Sequence, residues 1–295
     1  MEFSQLEALA AVARHRSFHG AAEELGLTQP AVSIAIRKLE KEVGAELFDR
    51  YRRDVRMTEA GRILHEYAQT ILNLRTEAGT ALDDLRQLRR GKVTIGANES
   101  TSLYLLPGVI LAFRQRHPEI KLEIYGSSSE NLPMEVKERN LDFGIVAFDP
   151  MDRDLEWFPI LDDELVLIVP PGHRLARRRK VTIQDLGTET FVAHNVKTPS
   201  RDYVVDFFRS HGVPLNIGIE LFSLETIKQF VELKQGIAFL PNLVVRQEVQ
   251  EKKFVIVPLQ EFHHQRTLRV IYLRGKVQSH ATTAFLEVVK TLNRP

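Results

Sequence analysis

The 295-residue chain contains no cysteine. That removes disulfides, thiolate metal sites and thiol catalysis or redox sensing in one step. No stretch approaches the roughly 18 to 20 consecutive apolar residues a membrane span needs, so no membrane partner is expected. An excess of charge is lacking too: 40 Lys and Arg face 39 Asp and Glu, leaving a net charge of +1. Overall charge therefore argues neither for nor against nucleic acid. The start, Met1-Glu-Phe-Ser4, offers neither a charged n-region nor an apolar h-region, so no secretory signal is expected and the predicted location is cytoplasmic. Catalytic apparatus is missing as well. There is no Gly-x-Ser-x-Gly elbow, phosphate-cradling loop or dinucleotide fingerprint. His263-His264 and His65-Glu66 lack metal-ligand spacing and there is no His-Glu-x-x-His, so these histidines read as surface residues. No enzyme activity, metal or cofactor is expected.

What is present begins with an ordinary apolar share, 43%, on a length suited to two or three domains. Residues 17–40 then hold two short helical patterns joined by a tight turn. Ala21, Ala22 and Leu25 give the first an apolar face, and Gly26 suits a left-handed cap. Thr28 is placed to cap the second helix, with Pro30 in its first turn, where a missing N–H costs nothing. Val32, Ile36, Leu39 and Val43 form one stripe at i, i+4, i+7 and i+11, predicted to be buried. Gln29, Ser33 and Arg37 fall on a different, outward face. A helix with a buried stripe and a polar stripe beside its N-terminus suits a major-groove reader, so this is a helix-turn-helix expected to read DNA.

Upstream, Ser4-Gln-Leu-Glu7 matches a capping box, with Phe3 as its staple, so a first helix is predicted from Ser4. Downstream, residues 44–58 read as a turn and two short strands forming a basic wing. Acids and bases balance over the first 58 residues, but Arg50, Arg52, Arg53 and Arg56 cluster in the wing. A local patch of that kind can anchor phosphates. Thr58 then opens a long helix. Its Ala60, Leu64, Tyr67, Ile71, Leu74, Ala78, Ala81, Leu85 and Leu88 step by fours and threes, about 45 Å of seam at about 1.5 Å per residue. That seam predicts a partner helix and hence a dimer. Arg89-Arg-Gly91 reads as a hinge.

From Lys92 the texture changes to short β-rich runs alternating with amphipathic patterns such as Leu103–Arg116 and Glu225–Lys234. The alternation predicts parallel sheets with crossover helices, broken near residue 161 and at Pro170-Pro-Gly172. The basic run from Arg174 to Lys180 reads as a solvated edge rather than a nucleic-acid contact.

The whole pattern resembles the LysR-type transcriptional regulators. The likeness is specific in Phe18, Ala21-Ala22, Leu25, Thr28-Gln-Pro-Ala-Val-Ser33, Leu39-Glu40, Leu47-Phe48-Asp49-Arg50 and Thr58-Glu-Ala-Gly61. It is looser through Gly91-Lys-Val-Thr-Ile-Gly96, Leu141-Asp-Phe-Gly-Ile145 and Gly236-Ile-Ala-Phe-Leu-Pro241. The resemblance implies a winged helix-turn-helix over 1–58 and a linker, or dimerisation, helix over 59–90. It also implies a two-lobed α/β effector-binding domain over 91–295, like type 2 periplasmic binding proteins. Lobe 1 would span about 92–161 and 268–295, and lobe 2 about 162–267. It further implies a homodimer or homotetramer on double-stranded promoter DNA, working with RNA polymerase and modulated by a small-molecule effector.

Candidate DNA contacts are Thr28, Gln29, Pro30, Ser33, Arg37, Arg50, Arg52 and Arg53. Gln29 suits a bidentate contact to adenine and the arginines suit phosphate, although Arg50 alternatively braces the wing through Asp49 or Glu46. For the effector, Ser100, Thr101 and Ser102 follow one strand and open a helix, while Ser128 and Ser129 follow another. Each serine alternatively serves only as a helix cap. Lys197, Thr198, Arg201 and Ser223 are weaker candidates, with Lys197 and Arg201 either countering an anion or facing solvent. These loops lack the aromatic lining of a site for a large hydrophobic inducer, so the expected effector is a small anion, a carboxylate or an inorganic oxyanion. Competing readings are a doubly wound α/β enzyme, which would need catalytic groups not found, and a transport-type solute-binding protein, which would need an export signal and no DNA-reading head.

Overall fold

The computed structural model describes residues 1–49, 55–86 and 91–292. The chain divides into two compact units, one built on the N-terminal helices and one on the α/β remainder.

The first unit contains α1 (Phe3–His15), α2 (Phe18–Leu25), α3 (Gln29–Val43), a two-stranded ribbon of β1 (Phe48–Asp49) and β2 (Arg56–Met57), and α4 (Glu59–Arg86). α1 starts one residue before the predicted Ser4, and its reach-back bond is different. The backbone N–H of Glu2 donates to Gln5 Oε1 at 2.8 Å. Phe3 lies under the Arg75 guanidinium, 4.8 Å from its ring centre, rather than acting as a staple. Ser17 accepts from the Gly20 N–H to cap α2, and Gly26 at φ 64° ends it. Thr28 caps α3 by accepting from Ala31 N–H at 3.4 Å. Val32, Ile36 and Leu39 are fully buried against α1 and α2, but Val43 is exposed, because α3 ends there and the chain turns at Gly44.

Thr58 ties the ribbon to α4. Its hydroxyl donates to the Glu46 carbonyl at 2.6 Å and accepts from Gly61 N–H at 3.0 Å. A Cβ on Gly61 would stand 2.1 Å from the Leu47 carbonyl oxygen, so only glycine permits this approach. The predicted seam of α4 divides in two. Ala60, Leu64 and Ile71, with buried Ala68 between them, pack on the helical core of the same chain. Ile63, Tyr67 and Leu74 stand exposed on a neighbouring face, and Leu82 is exposed further along the helix. One period of apolar residues therefore serves two faces, which the sequence reading merged. Ala81, Leu85 and Leu88, and the hinge arginines Arg89 and Arg90, fall outside the described side chains.

The second unit starts with β3 (Lys92–Ala97), α5 (Glu99–Tyr104), α6 (Leu106–Arg116), β4 (Lys121–Gly126), α7 (Leu132–Lys137) and β5 (Phe143–Val146). The expected single helix over Leu103–Arg116 is two, divided at Leu105. Next comes β6 (Leu155–Val169), a 15-residue strand that runs straight through position 161. The break expected there is a β-bulge instead: Leu268 faces Leu161 and Arg269 faces Pro159, leaving Ile160 without an opposite residue. Pro159 has no N–H to give the ladder, and the bulge accommodates it. Then follow β7 (Thr190–His194), α8 (Pro199–Ser210), β8 (Asn216–Leu221), α9 (Leu224–Glu232), β9 (Ala238–Pro241), α10 (Asn242–Gln250) and β10 (Val255–Val257). The chain returns through β11 (Gln265–Leu273) and closes on α11 (His280–Leu292).

β3 pairs in parallel with β4 and β5, and β7 with β8, but β11 runs antiparallel to β5 and β6, as do β9 and β10 to β6. The sheets are mixed where parallel ones were expected, because β6 and β11 each cross between lobes in opposite directions. Lobe 1 packs α6 and α11 on its sheet, with Phe285 between Phe113 and Phe143 at 5.5 and 5.3 Å between ring centres. In lobe 2, Phe191 meets Phe208 and Phe239 within a second core.

These packing differences predict two outcomes for one residue type on α3. Ile36→Ala removes a fully buried side chain and should destabilise the helical unit by about 2–5 kcal/mol. Ile34 is 52% exposed, and Ile34→Ala should stay within about 0.5 kcal/mol. Urea denaturation followed by circular dichroism compares them.

Candidate functional site

At the N-terminal end of α3, Thr28, Gln29 and Pro30 are exposed, as are Ile34, Arg37 and Lys38, while Ser33 is half-buried. The cap bond points the Thr28 hydroxyl back along the helix, leaving the first turn's outer surface to Gln29, Pro30 and Ser33. Arg50, Arg52 and Arg53 lie outside the described residues. Arg56, on β2, is exposed. The edge run of lobe 2 is partly committed: Arg174 pairs with Glu189 at 2.6 Å and Arg178 with Asp185 at 2.5 Å.

Inside the second unit, a crevice of about 520 Å³ separates the two lobes. Its lobe 1 wall carries Ser100 and Ser127–Ser129, and its lobe 2 wall carries Lys197, Thr198, Ser200 and Arg201. Asn98 joins the two serine clusters. Its Oδ1 accepts from Ser100 Oγ and Thr101 N–H, both at 3.0 Å, and its Nδ2 donates to Ser129 Oγ at 2.8 Å. Sequence reasoning missed Asn98 as a linker, although its place between a strand and a helix was a visible signal.

Other candidates stand elsewhere. Thr101 is fully buried, its hydroxyl without a hydrogen-bond partner among the described residues, and neither it nor Ser102 forms part of the crevice wall. α5 has six residues and Asn98 already satisfies the Thr101 N–H, so the helix-end field expected there is small. Arg201 is committed to the His194 carbonyl and the Glu220 carboxylate. Thr198 caps α8 through Arg201 N–H at 3.2 Å. Lys197 is exposed and has no ion pair among the described residues. Ser223 is outside the wall and donates to Glu99 Oε1 at 2.9 Å.

The expectation of little apolar lining is overturned. Phe148, Phe191, Phe222 and Phe239, with Val204 and Leu215, line the crevice. They come from segments distant in sequence from the serine loops, so no local reading of those loops reveals them.

The floor is set by Asp163 and Arg266, opposite each other on β6 and β11. Arg266 Nε and Nη2 donate to Asp163 Oδ2 at 2.9 and 2.8 Å, with both side chains almost wholly buried. The other carboxylate oxygen accepts from Leu243 N–H at the start of α10. Beside them His264, expected on the surface, is half-buried. Its ring lies 4.3 Å from that of Tyr203, and its Nε2 is 3.2 Å from Ser200 Oγ. Burial, reinforced by the Arg266 charge, holds His264 below the ordinary 6.5, and burial does the same to His65 in the first unit. The unfolded chain therefore takes up protons near pH 6.5 that the folded chain refuses. Stability should be full above that pH and fall as the pH drops below it. His264→Gln should flatten part of the fall, as denaturant midpoints on either side of pH 6.5 will show.

A DNA-reading helix on one unit and a ligand-sized crevice on the other define a ligand-responsive DNA-binding regulator. Residues 3–62 match the model of the bacterial regulatory helix-turn-helix proteins of the lysR family, and residues 86–294 match the LysR substrate binding domain. The chain belongs to the LysR family of transcriptional regulators. It is 34% identical to the RuBisCO operon transcriptional regulator of Allochromatium vinosum over 97% of this chain and 94% of that protein. The fold matches the crystal structure of CbnR, a LysR family transcriptional regulator, with a TM-score of 0.73 at 19% identity, covering 100% of both chains. The regulatory domain of CcmR from Synechocystis PCC6803, in complex with 2-PG, matches at a TM-score of 0.63 and 27% identity, covering 69% of this chain and 98% of that one.

Proposed function

We propose that this protein binds promoter DNA sequence-specifically through residues 1–58, pairs as a homodimer and further as a homotetramer through α4, and alters promoter binding or bending when a small organic anion enters the crevice. The DNA contacts are Gln29 and Ser33 on base edges, Thr28 and Pro30 docking the helix start, and Arg37, Arg50, Arg52 and Arg53 on phosphates. The exposed stripe of Ile63, Tyr67 and Leu74 on α4, with Leu82 exposed further along, supports pairing, since left wet it would expose apolar surface along the helix. The reading places the regulator in the cytoplasm, acting with RNA polymerase and without catalysis of its own; among the described residues no helix is long and apolar enough to cross a membrane.

One observation carries the effector reading: two hydroxyl clusters bonded through Asn98 face Lys197, which has no ion pair among the described residues, across one crevice. Hydroxyl and ammonium donors suit an anion, and the phenylalanine wall suits carbon attached to it, which favours an organic anion over a bare inorganic one. The likeness to the CcmR regulatory domain makes 2-PG the first probe.

For DNA, Gln29→Ala should relax preference at one base pair, a loss of about 1–3 kcal/mol there, whereas Arg37→Ala should weaken all sequences alike and reduce the salt slope by about one. Selection from random duplexes with salt-dependent gel shifts measures both. A Gln29→Ala protein that keeps its site and mismatch penalties refutes the docking. For the effector, Ser100→Ala combined with Ser128→Ala should weaken 2-PG binding at least tenfold by calorimetry, with ligand-free operator affinity unchanged. Undiminished binding in this variant would overturn the serine site.

A further inference from the structure

We propose that Glu99 is a resident anion in this crevice: its carboxylate clasps lobe 1 to the start of α9 on lobe 2, and the effector acts by taking over its donors. The proposal rests on the effector reading above and adds how binding is converted into a change between lobes.

Glu99 is the first residue of α5 and faces the crevice. Its Oε1 accepts from Ser223 Oγ at 2.9 Å and from the backbone N–H of Leu224 at 3.0 Å. Both donors belong to the start of α9, on the opposite lobe. Ser223 is the N-cap of that helix, yet its side chain makes no capping bond to α9. The hydroxyl donates to Glu99 instead, and the Glu99 carboxylate accepts from the first N–H of α9, one of the donors that a helix start leaves without an intrahelical partner. A full charge at a helix N-terminus is the favoured sign there.

A third polar group stands beside these two donors. His194, at the end of β7, places Nε2 3.4 Å from Glu99 Oε2, and among the described residues that nitrogen makes no hydrogen bond. Val196 N–H donates to its Nδ1 at 3.3 Å, so the Nδ1 lone pair is occupied and the proton of a neutral ring sits on Nε2, towards the carboxylate. At the far end of α5, Tyr104 packs against the lobe 2 core with Lys228 Nζ 4.9 Å from its ring centre. Lys228 lies one turn into α9 and is itself paired with Glu248. α5 is therefore held along α9 at two points, one an ion-dipole contact and one a cation-π contact.

An anion entering the crevice meets Glu99, Ser100 and Ser128 on the lobe 1 wall and His194 and Lys197 on the lobe 2 wall. Two negative charges in one partly dehydrated space repel, and the donors are few. The incoming anion takes the Leu224 N–H, which is part of the crevice wall, and meets the His194 Nε2–H beside it, while Glu99 leaves Leu224 and releases the Ser223 hydroxyl. The tie between lobes then passes from the chain to the ligand. A ligand that displaces such a tie binds the two arrangements unequally, which is the requirement for shifting their populations.

Calorimetry and amide deuterium exchange on the full chain test this. Glu99→Gln and Glu99→Ala should each bind 2-PG about tenfold or more tightly than wild type, because the ligand no longer displaces charge-assisted bonds. Exchange at Leu224 should rise several-fold in ligand-free Glu99→Ala. Unchanged or weaker binding in both variants overturns the anion exchange, and unchanged deuterium exchange overturns the clasp. If wild type and variants alike leave 2-PG unbound, the effector reading and the anion exchange fall together, and the clasp is decided by deuterium exchange alone.

Discussion

The meeting of the two lobes depends on one buried carboxylate. Asp163 sits opposite Arg266 where β6 and β11 cross from lobe to lobe, and it also accepts from the N–H of Leu243, the second residue of α10. Removing one member of such a pair leaves an uncompensated buried charge, a loss of about 3–5 kcal/mol. Three elements are thereby fixed in register at the crevice floor. Leu165 and Gln265, beside this pair on the two crossing strands, form part of the crevice wall. The β-bulge at Ile160 lies a few residues along the same ladder, so the strand pair changes course next to its most firmly anchored point.

Legibility followed the range of the interactions. Much of the head could be read from the sequence because its determinants are local: Thr28 caps, Gly26 terminates, and Val32, Ile36 and Leu39 repeat at helical spacing. Val43 was misplaced because the stripe continues in sequence for one residue more than the core does in space. The long helix shows a subtler failure. Heptad spacing is common to a helix packing on its own domain and one awaiting a partner, so Leu64, Ile71, Tyr67 and Leu74 looked like one seam. Only their neighbours divide them, with Leu64 and Ile71 on the head's core and Tyr67 and Leu74 exposed.

The crevice was legible on one side only. Serine clusters at strand ends announced lobe 1, since strand-helix junctions need donors and caps there. The apolar wall was hidden because Phe148, Phe191, Phe222 and Phe239 belong to separate segments, each of which reads as ordinary core or loop. Arg201 shows the opposite error: a cation near a crevice looked free, yet Glu220 and the His194 carbonyl already hold it. Thr101 illustrates a third case. In sequence it belongs with Ser100 and Ser102, but the rotation of α5 puts it wholly inside while Ser100 faces the crevice.

These placements constrain how a signal can arise. A ligand held by lobe 1 hydroxyls alone would bind every lobe arrangement equally and could change nothing at the promoter, however tightly it bound. Responsiveness requires contacts that differ between arrangements, and such contacts must span the crevice. Lys197 offers a reach from lobe 2, but it is exposed and tethered only by its own flexible stem. The donors at the start of α9 are different, because a backbone N–H and a capping hydroxyl are rigid parts of the lobe and are engaged from the other side. Whatever occupies them fixes the separation of the lobes to within a hydrogen-bond length. By reciprocity, any arrangement of the lobes that promoter DNA favours must alter the competition for those same donors to the same degree.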